Sequence, residues 1–389
     1  MTKIRFQRGS YAWKIIYFVA LGVIFPWRSL KLIQGDHTLV LRCIRLLKEN
    51  GYIIVQQKGR LKSIKLTKKA VDILDFIEPG LYEYYMYNSE GHTFRGVKVN
   101  DKTTLYQVYL RHFANAQVCC LNHRMDAKFL YQDKPQLRLT YTGRGVEVKD
   151  TYYYNSKELK NVDPLQKHKT EFSRIIGMTV SQGGVYCIYN VGNSKIRWNQ
   201  YGEVKAKLLV KNIVDSTFDQ KTIGCSYGTD FKADSAIMFV DNFNVAAYYL
   251  SPHGRNRPDE RGFEFLTFDN TFSEIYMLPT DDYGAILYKM ITTSGWKKKI
   301  AELVFGSEYE NAVGIIKDKN NTNHYMLQIC DGNIGHLKGM LNFAVMNPSY
   351  DCTVYCYQWQ KDAVKEIVGD TIDVSIIDFK ETVSGFFLE

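Results

Sequence analysis

At 389 residues, 45% of them hydrophobic, the chain is long enough for two or three domains with substantial cores and needs no disulfide staple to fold. Its formal charge is +9, and the excess is confined: residues 1 to 77 hold 15 Lys/Arg against 4 Asp/Glu, a net of +11, which leaves −2 for the remainder. A uniformly basic chain is thereby excluded, and one module carries the electrostatic footprint of a polyanion binder.

Tyr11 to Val23 reads as a first helix, with Ile15, Phe18 and Val19 at spacings of three and four. The apolar run from Ile15 to Phe25 is about 11 residues against the roughly 20 that span a bilayer, so a core helix is expected and no membrane partner. Pro26 leads a short second helix through Ile33, and Gly35 breaks the chain. Asp36 is the expected N-cap of a third helix ending at Glu49, where Asn50-Gly51 supplies the stop. Val40, Ile44 and Leu47 share one face of it, while Thr38, Arg42 and Arg45 share the other.

Tyr52 to Gln56 and Ser63 to Leu66 alternate as strands about the turn Lys58-Gly59-Arg60, and Thr67 caps a closing helix from Lys68 to Ile77. This order predicts a winged helix-turn-helix that binds double-stranded DNA. Arg42 and Arg45 are expected to read bases, with Thr38 beside them. Lys58, Arg60, Lys62 and Lys65 of the wing, and Arg28 and Lys31 of the second helix, are expected on phosphates. The alternative for the same module is a protein-docking platform with a solvated basic face. A homodimer suits such a module, although no heptad or exposed apolar stripe marks an interface.

Beyond Glu78-Pro79-Gly80, the tyrosines 82, 84, 85 and 87 read as half-buried packing rather than as base-stacking platforms. Helices are expected over Asn100 to Ala116, from a Ser156 cap, from Thr170, over Glu203 to Val214, Phe243 to Leu250 and, as one or two, Tyr283 to Phe305. Strands are expected at Gln136 to Tyr141, Gly183 to Asn190 with Lys195 to Trp198 as its hairpin partner, Ala236 to Asp241, Phe263 to Phe268, Ser273 to Leu278, Tyr325 to Cys330 and Cys352 to Trp359. Ser251 to Arg261 and Asp318 to His324 read as polar loops. The fold expected is α+β or mixed α/β: a winged helix over residues 1 to 77, then a larger mixed-sheet domain over 78 to 389, with a subdivision near 150 to 170.

The eight cysteines lie mostly in apolar stretches without a secretory context, which fits a reducing cytoplasm. Neither Cys119-Cys120 with His123 nor Cys352 with Cys356 has the paired spacing of a zinc site, so no metal is expected. No phosphate-cradling GxxxxGK[ST], no GxGxxG after a strand and no GxSxG elbow occurs. The competing enzymatic reading is a nuclease that holds Mg²⁺ on carboxylates beside a lysine. Glu158-Leu159-Lys160, with Asp241 at a strand end, is its candidate set, and Glu203-Val204-Lys205 is a second copy of the triplet. Both triplets fall at expected helix starts, where a structural role is the simpler reading.

The segments YAWKIIYFVALGVIFPWRSLKLI, YYYNSKELK, GGVYCIYNVGNSKIRW and TVYCYQWQKDAVKEIVG, spread over most of the chain, resemble the replication-relaxation family of plasmids and conjugative elements. The resemblance implies a DNA-binding accessory protein of plasmid replication or DNA transfer, with other replication or transfer proteins as partners. It also implies a C-terminal region like the restriction endonucleases in fold.

Overall fold

The structure, a computed structural model, describes residues 4, 6–59, 61–79, 102–140, 143–162, 173–193, 197–224, 234–250, 264–265, 271–317 and 323–388. The architecture is mixed α and β, and the chain divides into two compact units, Met1–Phe129 and Leu130–Glu389.

In the first unit, α1 (Tyr11–Gly22) starts where Ser10 Oγ accepts from the Trp13 amide at 3.2 Å. Its residues from Ile15 to Ala20 are buried on every side, as befits a central helix. The chain continues through β1 (Phe25–Pro26), a 3₁₀ turn (Trp27–Leu32), α2 (His37–Glu49), the hairpin β2 (Ile53–Lys58) and β3 (Leu61–Leu66), and α3 (Lys68–Ile77). The three strands form one antiparallel sheet in the order β1-β3-β2, with Phe25 opposite Ile64 and Pro26 opposite Ser63. The expected second helix is therefore a 3₁₀ turn, and Pro26 belongs to a strand. A proline is tolerated there because a two-residue edge strand can spare one ladder donor.

A long helix, α4 (Lys102–Arg124), runs further than expected and belongs to this first unit, which extends well past residue 77. Tyr109 and Phe113 of α4 cluster with Ile24 and Leu61, and at the close approach of α4 to α1 a side chain on Gly22 would stand 2.7 Å from Ala116 Cβ.

The second unit opens its main sheet with β4 (Tyr152–Asn155), followed by α5 (Ser156–Val162), β5 (Gly177–Ser181) and β6 (Gly184–Gly192). Next come β7 (Arg197–Trp198), α6 (Gln200–Thr217), β8 (Ser235–Val240), α7 (Val245–Leu250), β9 (Glu264–Phe265), β10 (Glu274–Pro279), α8 (Asp282–Ile291) and α9 (Trp296–Phe305). The five-stranded order is β10-β8-β6-β5-β4, with β4, β5 and β6 antiparallel and β6, β8 and β10 parallel. Both faces are covered, so β8 is the continuous apolar run AIMFV rather than an alternating one. Met178, Cys187, Tyr189 and Met238 share a core with Ala206, Val210 and Ile213 of α6, whereas Phe239 and Tyr276 meet Tyr288 and Trp296 from α8 and α9.

A second sheet, β11-β12-β13-β14, is built from β11 (Val313–Lys317), β12 (Asn323–Gln328), β13 (Asp351–Tyr357) and β14 (Asp373–Ile377). The helices α10 (Gly335–Met346) and α11 (Lys361–Val368) make its crossovers, and α12 (Phe379–Phe387) ends the chain. β11 is antiparallel to β12, and the other pairs are parallel.

Several expectations change here. Residues 136–140 form no strand: the Arg138 amide donates to Thr217 Oγ1 at 2.9 Å, and Leu137 and Leu139 pack on the core, so their alternation is satisfied without a ladder. The helix expected from Thr170 is replaced, where described, by an extended lead into β5. The hairpin partner of β6 is β5 before it, through a Gln182-Gly183 turn, while Arg197–Trp198 pairs instead with β9. His324, expected in a loop, is in β12. The helix after β4 is capped by Asn155, not Ser156: Asn155 Oδ1 accepts from the Lys157 and Glu158 amides at 2.9 and 3.1 Å. The tyrosines at 82 to 87 and the loop at 251–261 lie outside the described residues.

Candidate nucleic-acid interface

Helix α2 is fixed at both ends by the residues that its sequence put there. Asp36 Oδ1 accepts from the Thr38 and Leu39 amides at 2.7 and 3.2 Å, and these bonds, Leu39 first, hold its carboxyl below the usual range. Asn50 closes the other end, with Gly51 following at φ +73. Gly35 makes the entry possible. At φ +120, its ideal Cβ would stand 2.2 Å from Tyr11 Oη, which itself accepts from the Asp36 amide at 2.8 Å.

Val40, Ile44 and Leu47 of α2 are buried, so its opposite face is presented to solvent. Thr38, Arg42 and Arg45 are all exposed there and recur along one stripe, with Lys48 beside it. Glu49, one turn beyond Arg45, ends the stripe with an acid, and Leu39 and Leu41 flank it as exposed apolar residues. Because the Asp36 carboxylate already occupies the first amides of α2, a phosphate here has to be met by side chains.

The remaining expected cations divide. Arg28 and Lys31 are exposed on the 3₁₀ turn between buried Ser29, Leu30 and Leu32. Lys62 is exposed, and its Nζ lies 3.6 Å from the centre of the Trp27 ring, which brings the hairpin's cation to the turn that carries Arg28. Lys65 is on the other face of the sheet, half-buried, with Nζ 5.6 Å from the Tyr109 ring of α4. Tyr109 Oη also accepts from Gln56 Nε2 at 2.7 Å. Lys65 is thus turned towards α4 rather than towards a groove. The Lys58 side chain and Arg60 lie outside the described residues. Trp27 and Lys48 were not singled out from the sequence. The pairing of Pro26 with Ser63, which sets Trp27 across from Lys62, is a tertiary fact.

The carboxylates weighed for a nuclease are engaged otherwise. Lys134 Nζ donates to Glu158 Oε2 at 2.9 Å, stands 2.7 Å from Glu158 Oε1, and also donates to Tyr153 O at 2.7 Å. Glu158 Oε2 accepts in turn from the Asn155 amide at 2.8 Å, completing a reciprocal cap. On a strand, Glu-x-Lys points both side chains to one face. On a helix the two are about 200° apart, so Lys160 on α5 faces away from Glu158.

The same holds for Glu203 and Lys205 of α6. Glu203 is buried, accepting from the Arg174 amide, Ser173 Oγ and Tyr189 Oη at 2.6, 2.7 and 2.8 Å, and burial raises its carboxyl. Lys205 lies over the Tyr201 ring at 3.5 Å. Asp241, just past β8, accepts from Thr280 Oγ1 and Asn193 Nδ2 at 3.2 and 3.1 Å. Three strand spacings separate β8 from β4, about 14 Å, so Asp241 and Glu158 do not converge on one ion. Among the described residues no cluster of three or more His, Cys, Asp or Glu is arranged to hold a metal, and the seven described cysteines are free thiols. Nor is any described helix long and apolar enough to cross a membrane.

Comparison of the chain with protein-family models, with characterised proteins and with solved structures gives no match.

Proposed function

We propose that the first unit is a winged helix-turn-helix and that the protein binds double-stranded DNA through α2 and the β2–β3 hairpin. The observation that carries this reading is the exposed stripe Thr38, Arg42 and Arg45, set opposite a buried apolar stripe within a segment of net charge +11. A helix so placed offers two guanidiniums to base edges, which accept bidentate donors in the major groove. Arg28, Lys31 and Lys62 supply the phosphate contacts, and the sequence adds Lys58 and Arg60 as further cations. Action in the replication or transfer of a mobile element is part of the proposal and rests on the family resemblance. No Mg²⁺ is required. The nuclease alternative lacks a converging carboxylate pair among the residues weighed for it.

The test is fluorescence-anisotropy titration of the full chain against selected and random duplexes over a range of salt. Arg42→Ala should weaken the selected site by about 1–3 kcal/mol and relax preference at one base pair. Lys62→Ala should weaken all duplexes alike and lower the salt slope by about 1. Absence of salt-dependent duplex binding would sink the proposal in favour of a docking platform, and equal losses on every sequence from both variants would overturn the division of roles.

A further inference from the structure

The exposed sector of α2 carries two leucines, and they are not equivalent. At about 100° of turn per residue, Leu39 stands at the margin of the packed face, with half-buried Cys43 and Leu46 four and seven residues further on. Leu41 stands inside the sector. Thr38, Leu41, Arg45 and Lys48 follow one another at spacings of three, four and three, which sets them in one row along the helix, and all four are exposed. His37 and Lys48 lie further round the helix than Leu41 and are exposed too, so polar residues border it on both sides. Helix propensity does not require a leucine there, because Lys, Gln and Glu serve a helix about as well. Nor does the packed face, which Val40, Ile44 and Leu47 supply.

The row therefore has a mixed chemistry. A leucine side chain has no donor or acceptor, so neither a phosphate nor a polar base edge rewards it, and only apolar surface does. Among the four ordinary bases, thymine alone presents an apolar group in the major groove, its 5-methyl, while guanine presents two acceptors that match an arginine fork. Another protein would also offer apolar surface. Leu41, however, lies between Thr38 and Arg45 in a segment of net charge +11, and a duplex is the partner that satisfies the leucine and its cationic neighbours together.

We infer that Leu41 is a specificity-determining residue that reads a thymine methyl, so that α2 selects a thymine close to a guanine. The inference rests on the reading that α2 enters the major groove. The rise from Leu41 to Arg45 is about 6 Å, against about 3.4 Å per base-pair step, so the two bases lie within about three base pairs of each other. Closing Leu41 over the methyl removes water from both apolar groups, whereas the exposed cations hold any sequence through its phosphates.

The experiment starts from the duplex that the full chain enriches out of a random-sequence pool. Each thymine is replaced in turn by deoxyuridine, which keeps the base pair and removes only the methyl. One replacement, within about three base pairs of the position whose preference relaxes in Arg45→Ala, should weaken binding about fourfold, the factor that one buried methyl carbon gives. In Leu41→Ala the same replacement should cost nothing further, because the methyl has lost its partner, while the salt slope stays that of the parent. Leu39→Ala should keep the full methyl effect. Absence of any salt-dependent duplex binding would overturn the DNA reading and this inference with it. A selected duplex whose thymines can all be replaced without loss, or a methyl effect that survives Leu41→Ala, would overturn the inference alone.

Discussion

Replacing Glu158 by alanine tests the reassignment of a candidate catalytic carboxylate to a structural one. The Lys134 and Glu158 side chains are 1% and 4% exposed, and Glu158 holds the ammonium with both of its oxygens. Without the carboxylate, that ammonium is left inside the fold beside Tyr153 O and the Tyr154 ring, with the Glu158 counter-charge gone. Breaking a buried pair from one side costs about 3–5 kcal/mol, far more than the pair's net worth, because the remaining charge is uncompensated. Loss of the acceptor for the Asn155 amide acts in the same direction. For a unit of this size, a loss of about 4 kcal/mol lowers the midpoint by roughly 8–16 °C. Scanning calorimetry with far-UV circular dichroism on the full chain reads this. The double variant Lys134→Met/Glu158→Leu should recover most of the loss, since neither charge is then buried. A Glu158→Ala shift below about 1 kcal/mol, or a double variant no better than the single, would refute the reasoning. The same result governs any cleavage assay: activity lost in Glu158→Ala would report unfolding, not chemistry.

Two further outcomes follow from other parts of the fold. Burial, reinforced by Lys14, pushes the His123 imidazole down to about 4, and the ring stands edge-on to Phe18 at 5.4 Å. The unfolded chain therefore takes up a proton near 6.5 that the folded one refuses until about 4, so the first unit should lose stability as pH falls through that window. Urea melts should show the decline, and His123→Phe should flatten it; an unchanged pH profile in that variant would contradict the account. At the β10–α8 turn a Cβ on Gly284 would stand 1.7 Å from Pro279 O, so Gly284→Ala should cost about 3 kcal/mol, and an unaltered melt would show that the turn relaxes.

Much of the first unit was legible. Asp36, Asn50-Gly51 and the two stripes of α2 are local signals, because a cap needs one side chain beside its own helix and periodicity needs only the helix itself. The hairpin was legible for the same reason. Its cations were not fully so. Lys62 and Lys65 are three apart on β3, hence on opposite faces, but alternation cannot say which face a helix from elsewhere will cover. That helix is α4, and it separates Lys65 from the other expected phosphate contacts.

In the second unit the sequence located apolar runs but misassigned their partners. GGVYCIYN was legible as a strand, yet its tight-turn partner is β5 before it rather than a strand after it, and its other neighbour, β8, is reached by a crossover and so depends on contacts distant in sequence. The Glu-x-Lys triplets show the same limit from the side of chemistry. The residue types were right for a metal site, but a helical backbone sends them to opposite faces, and the lysine that completes Glu158 comes from position 134.

What the sequence determined by itself is what arises within about one turn or one hairpin: caps, helix faces, strand alternation and a charge excess concentrated in residues 1 to 77. Only the tertiary structure decided which faces are covered and which carboxylates are neutralised. These depend on residues brought together by chain closure, and no local periodicity encodes the identity of a distant partner.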